Sequence, residues 1–471
     1  MAGNLVAGGV ALQPSAEQVA LSTNYITTFD FLNQYLPDTY EKEFERYGNR
    51  TISGFLRMVG AEMPSNSDLI KWAEQGRLHT KYTACTLATY TGAETTQTIT
   101  VPAAQLIPGT GTIAVRVGQT ILLSDETAAS GFSNKAIVTA VGTGGLAANQ
   151  FTVAYYEATQ AAYAGASTVS MFAYGSEFAK GTTGMAGSLE SDDIFLENNP
   201  IILKDRYAVN GSDMAQIGWV EVTSENGANG YLWYLKSEHE TRLRFDDMLE
   251  TAMIEAIPAA AGSGATTAGF IGSEGIFSAV GTRGNVWNGG YPVDLLDFDA
   301  IISRLDKQGA IEENAIFLDR QFGFAIDDML AAQNSYGAGG TSYGLFDNDQ
   351  EMALNLGFTG FRRGYDFYKT DWKYLNDPTM RGDLVGGKVS GLLVPAGSTS
   401  VYDQVLGKNA KRPFLHVRYR ASQTEDRRYK TWMTGSAGGA QTSSLDAMEV
   451  NFLSERCVCT LGANNFVLFQ G

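Results

Sequence analysis

Three cysteines and three histidines in 471 residues leave little material for metal or redox chemistry. Cys457 and Cys459 stand two apart in a strand-like run, so both thiols point to one face. With Cys85 they build neither a zinc framework nor a disulfide scaffold. They read as reduced, packed thiols of a reducing cytosol. Long apolar runs are also missing. No stretch of about 18 apolar residues occurs, so no segment is expected to span a membrane. The opening MAGNLVAGGVALQPSAEQ lacks the basic start and long apolar core of a secretory signal, which predicts a soluble compartment. Basic charge is scarce: 34 Lys and Arg face 51 Asp and Glu, a net charge of −17 spread along the chain. Such a field repels a nucleic-acid backbone and excludes direct DNA or RNA readout. Eleven prolines against 53 glycines exclude collagen-like sequence and point to many turns.

What is present is enough apolar sequence, 44%, to bury at least one large core. Residues 1–25 are Ala/Gly/Ser-rich. Residues 31–82 read as short amphipathic helices separated by Gly48, Gly60 and Pro64. Tyr40, Phe44 and Tyr47 recur at helical spacing, and Ile52, Phe55, Leu56 and Val59 follow. Such pieces suit an arm laid over other surfaces. From about 86 to 174 charge becomes sparse, and TIAVRVGQTILLSD, NKAIVTAVGTGG and QFTVAYYEA are short β-rich runs, predicting a small inserted barrel or sandwich. GTGTIA at 109–114 lacks the third glycine and following helix of a dinucleotide loop. An extended stretch about 200–223 precedes the longest helical pattern, Gly230 to Ile257, closed by Pro258. Helices at 295–309 and 320–333 and strands at 314–319, 390–398 and 412–422 make the C-terminal half α+β.

The densest candidate for chemistry is SEHETRLRFDDMLE, residues 237–250, with five carboxylates and His239. A helical zinc site needs a second histidine four residues on, and Leu243 stands there. Glu238 with Arg242, Glu240 with Arg244, and Arg242 with Asp246 are instead i,i+4 pairs, each worth roughly 0.2–0.5 kcal/mol on an exposed helix. Tyr231, Tyr234, Leu235, Phe245, Leu249, Met253 and Ala256 form an apolar stripe that Glu238 and Arg242 interrupt, which predicts contact with a neighbouring element or subunit. Paired carboxylates of the kind glycosidases use occur in DFDA (297–300) and IDD (326–328), both inside amphipathic helices. RASQTEDRRYKTW (420–432) mixes both signs and predicts ion pairs within or between chains. No catalytic, cofactor-binding or metal residue is assigned. The candidate inter-element or inter-subunit contacts are Glu238, Arg242, Asp246, Tyr40, Phe44 and Phe55.

The order of parts resembles the HK97-type major capsid protein of tailed bacteriophages: helical arm, β excursion with an inserted barrel, one long helix, then an α+β remainder. The stretches YLPDTYEKEFERYGNRTISGFLRMVGAEMPSNSDLIKWAEQGRLH, RYAVNGSDMAQIGWVEV, GFRRGYDFYKTDWKYLND, RYRASQTEDRRYKTWMTGS and LSERCVCTLGANNFVLF are similar to major capsid proteins of crAss-like phages. The resemblance covers nearly the whole chain and implies an α+β HK97-type capsid fold. Its parts would be an N-arm (1–82), an E-loop region (83–227) containing the β-rich insertion (about 86–174), a P-domain (228–294) with spine helix 228–257, an A-domain (295–411), and C-terminal strands (412–471) returning to the core. It further implies hexamers and pentamers in an icosahedral shell around double-stranded DNA. Portal, auxiliary and head-fibre proteins would be partners, with no cofactor and no membrane, and the product would be a virion component made in the host cytoplasm. A hydrolase with a β-rich accessory domain would need His239 or the carboxylate pairs to converge in a pocket. A β-rich surface or adhesion protein is disfavoured by the missing export signal and the free cysteines.

Overall fold

The computed structural model describes residues 55–56, 61–77, 79–88, 94–107, 109–126, 133–158, 168–187, 193–214, 221–223, 229–334, 359–403, 408–439 and 441–471. The chain divides into two compact units: Ala73–Leu196, and the residues up to Trp72 together with Glu197–Gly471. Helix and strand are mixed throughout the larger unit, whereas the smaller is β-rich.

Among the described residues the larger unit holds two large sheets and two two-stranded ribbons, Glu221–Thr223 with Asn229–Tyr231 and Ser398–Asp403 with Lys408–Pro413. The first is organised by one long strand, Ala447–Thr460, of 14 residues. Along one edge it pairs antiparallel with Ile201–Asn210. Along the other it takes Lys430–Gly435 and then Leu415–Arg420. Ala61–Ser65 closes the sheet at its edge, parallel to Leu415–Arg420. A 24-residue helix, α1 (Leu232–Glu255), lies against this sheet. At 1.5 Å per residue it is about 36 Å long. Its Phe245 and Leu249 bury against Met448, Val450 and Phe452. One turn further, Met253 and Ile254 enter the central core.

The second sheet has six strands, in the order Asn285–Trp287, Val467–Gln470, Val389–Pro395, Glu313–Leu318, Tyr365–Asp371, Gly360–Arg363. It is buried on both faces, which explains why Glu313–Leu318 reads as an almost continuous apolar run. Ile316 and Leu318 face the helices α3 (Leu295–Gln308) and α4 (Arg320–Asn334), meeting Phe298, Leu305, Phe322 and Ile326. Phe317 faces the opposite way, into the central core with Ile276, Phe277 and Val280 of the short helix α2 (Ile276–Arg283). Gly309 ends α3 in the left-handed conformation at φ 69°, as the glycine stop predicts.

The smaller unit contains a closed six-stranded antiparallel barrel, in the order Lys81–Leu87, Thr96–Thr100, Gln150–Tyr155, Ser133–Val141, Gln119–Asp125, Thr168–Ser176. Inward positions alternate with outward ones along each strand. Ile99, Ile121, Leu123, Val138, Phe151, Val153, Val169 and Met171 fill the interior. The TIAVRV stretch forms no strand, yet its Ile113 and Val115 are buried in that interior.

One expectation is corrected. Ala61–Ser65 and Ile70–Gln75 are strands, not short helices. Pro64 cannot donate to an interior ladder, and an edge strand is where a sheet tolerates it. In the second segment Ile70 and Trp72 alternate with exposed neighbours and cover Cys457 and Cys459, a two-residue period that tertiary pairing enforces. Ile70–Gln75 pairs with Asp193–Asn198 in a two-stranded ribbon.

Candidate functional site

The acidic stretch 237–250 lies wholly within α1. His239 and Arg242 are exposed, while Thr241, Phe245, Leu249 and Glu250 are buried. Its flank is divided between solvent and the sheet below. Ser237 and Glu238 stand beside the Tyr207 phenol. Arg242 and Asp246 stand against the hydroxyl of Tyr429, which burial first and then the Asp246 charge push up to about 12. Among the described residues no three His, Cys, Asp or Glu side chains are placed to hold a metal ion.

The carboxylate pairs are occupied structurally. The Asp297 carboxylate accepts hydrogen bonds from the backbone N–H of Val293 (3.1 Å) and Asp294 (3.4 Å), capping α3. Asp299 takes both arms of the Arg363 guanidinium, one at 2.7 Å, and that hydrogen bonding holds its carboxyl below the usual range. Asp327 is paired with Lys369 at 2.5 Å, and Asp328 is exposed. A shallow cleft between α3 and strand Asn285–Trp287 is lined by Val286, Trp287, Ile301 and Val467, with Arg304 the charged group at its rim. It brings together no nucleophile with a base.

The three cysteines are free and buried. Burial, and secondarily the charge of Glu126, push the Cys85 thiol up to about 12, which keeps it protonated and unreactive. The Cys457 thiol lies against that of Cys459 and is raised first by their hydrogen bond and then by burial. His416, directly across the ladder from Cys459, is buried, its Nδ1 3.3 Å from the Pro413 carbonyl.

The charged run 420–432 forms a network. Arg427 meets Glu455 at 2.6 Å, and Lys430 meets Glu425 at 2.8 Å. Arg420 meets Asp68 and Glu455, and Arg428 meets Glu62. Glu62 and Asp68 come from the N-terminal part of the chain, so the network ties that segment to the C-terminal strands.

A second tie is apolar. Phe55 stacks on Trp372 (centroids 4.4 Å apart, 21° between planes) and meets the edge of Phe317 at 4.7 Å. The next residue's backbone N–H, Leu56, donates to Glu250 Oε1 of α1 at 3.0 Å. At the C-terminal end of α1, Glu255 accepts from the Tyr374 hydroxyl and from both arms of Arg381, one at 2.7 Å. Tyr40 and Phe44 lie outside the described residues. Sequence reasoning missed this clamp because Glu255, Tyr374 and Arg381 are joined only by the fold.

No protein-family model matches the chain, and no curated protein matches it in sequence. Solved structures similar to it include "Capsid of native GTA particle computed with C5 symmetry", at 9% identity and TM-score 0.40, covering 93% of this chain and 96% of that one. A chain from Microbacterium phage Oxtober96 is similar at 10% identity and TM-score 0.38, covering 92% and 95%. The holo-SrpI encapsulin complex from Synechococcus elongatus PCC 7942 is similar at 11% identity and TM-score 0.33, covering 59% and 77%.

Proposed function

We propose that the chain is a structural, non-enzymatic shell subunit: the major capsid protein of a tailed, crAss-like phage in the HK97-type arrangement. In this reading residues 1–82 are the N-arm, 83–227 the E-loop region with the barrel as its insertion, and 228–294 the P-domain with α1 as spine. Residues 295–411 are the A-domain, and 412–471 return to the core. The subunits form hexamers and pentamers of an icosahedral head, enclose double-stranded DNA without reading it, and meet portal, auxiliary and head-fibre proteins. Synthesis is in the host cytoplasm, and the protein functions in the virion.

The observation that carries this reading is the interleaving of the chain's two ends around one helix. Strand Ala61–Ser65 pairs with Leu415–Arg420, Phe55–Leu56 join the central core, α1 lies on the sheet those strands share, and the barrel segment falls between Ala61–Ser65 and α1 in sequence. This is the order of parts in the sequences the chain resembles. The pairing of the acidic helix pairs with Arg363, Lys369 and backbone N–H groups, in place of a convergent pocket, also supports a structural role. Many modest contacts per subunit stabilise such a shell by multivalency.

The test is expression of the full chain followed by negative-stain electron microscopy. Shells, rings or tubes are expected. A monomer that stays monomeric at high concentration and hydrolyses a glycoside or ester overturns the reading.

A further inference from the structure

Part of the barrel's outer wall carries large exposed aromatic side chains. Its outward side chains can be followed across three strands to the residue just after a fourth: Phe172 pairs with Leu122, Leu122 with Lys135, and the backbone N–H of Tyr156 donates to the Lys135 carbonyl at 3.3 Å. With strands about 4.8 Å apart, this row spans roughly 15 Å. Phe172 is 42% exposed and Tyr156 48%. Tyr174, also 48% exposed, stands two residues from Phe172 at a bulge in the ladder, and the Tyr156 hydroxyl donates to Glu177 at 2.5 Å. Large aromatic faces in one contiguous patch with polar groups at the rim mark an interaction site.

The same unit carries a counterpart. At the start of strand Asp193–Asn198, Phe195 is 73% exposed and shares its face with Asp193, two residues earlier. The flanking Asp193 is exposed and acidic, whereas the wall presents the exposed cation Lys135 in the middle of its row. An exposed aromatic ring beside a carboxylate thus matches an apolar row interrupted by an ammonium.

We propose that this barrel wall docks a second copy of the chain, which seats Phe195 against Phe172, Leu122 and Tyr156 and sets its Asp193, on the same face of the strand, against Lys135. Because donor and acceptor are different surfaces of one chain, a head-to-tail arrangement of this contact leaves a free surface at each end and propagates into rings or lattices. Nucleic acid is a poor occupant of the wall of a chain with net charge −17. The inference deepens the shell-subunit reading and rests on it for its biological role.

The test uses full-length chains. An F195C chain is mixed with an F172C chain before assembly and treated with a short bis-maleimide; the native thiols are buried, so background is low. A covalent dimer is expected in the mixture and in neither variant alone. K135E should slow assembly at least tenfold, and K135E combined with D193K in one chain should restore it. Shells without a mixed dimer, or a K135E chain that assembles like the parent, overturn the docking and leave the shell reading standing. A mixed dimer without shells keeps the docking and overturns the shell reading. Neither product overturns both.

Discussion

At the residue scale, Tyr429 reports on the flank of α1. Its hydroxyl is neutral in the fold, and ionising it would place a second negative charge beside Asp246 in a partly buried site. The folded pKa is raised to about 12 from an ordinary value near 10. A raised folded value means the stabilisation is fully present below the unfolded pKa and is lost as pH rises through the folded one. Urea midpoints should therefore fall between about pH 10 and 12, and Tyr429→Phe should flatten part of that slope. Arg242, exposed beside the same hydroxyl, gives a second test: Arg242→Glu should leave the circular dichroism spectrum unchanged and reduce the yield of assembled particles. The residue types and their helical spacing were legible in the sequence. That Asp246 and Arg242 face Tyr429, some 180 positions away, was not, because no local pattern encodes a contact across so long a loop.

At the element scale, local signals and tertiary pairing share control unevenly. The helices at 295–308 and 320–334 follow from amphipathic period and a glycine stop, signals that act within a few residues. The strands at 61–65 and 70–75 obey neighbours far away in sequence. Glycine shows the same division. Gly309 sits at φ 69° with open space where a Cβ would be, so Gly309→Ala meets only the left-handed backbone cost of about 1–2 kcal/mol. Gly435, at φ 126°, has the Ala447 carbonyl directly against that position, within the ladder that joins Lys430–Gly435 to the long strand. Gly435→Ala should cost more than Gly309→Ala and release that strand, visible as faster amide exchange at residues 430–435.

At the scale of the whole molecule, each unit has its own core, which predicts two unfolding transitions. Phe55→Ala removes a ring stacked on Trp372 and should cost about 3–5 kcal/mol in the larger unit alone, read by tryptophan fluorescence. Phe151→Ala, in the barrel interior, should lower only the other transition by a similar amount. If both substitutions shift a single shared transition, the two cores are not independent.

The sequence by itself determined the barrel segment, the long helix, the α+β remainder and the placing of the acidic cluster on that helix. Period, turn residues and i,i+4 spacing are local properties that a chain carries before it folds. Only the tertiary structure decided that the N-terminal strand completes a C-terminal sheet, that Glu255 is clamped by Arg381 and Tyr374, and that Phe172, Leu122, Lys135 and Tyr156 align in one row. Each of those depends on the register between strands, or the packing of elements, distant in sequence. Such register is set by which buried faces fit together rather than by any one segment's preference.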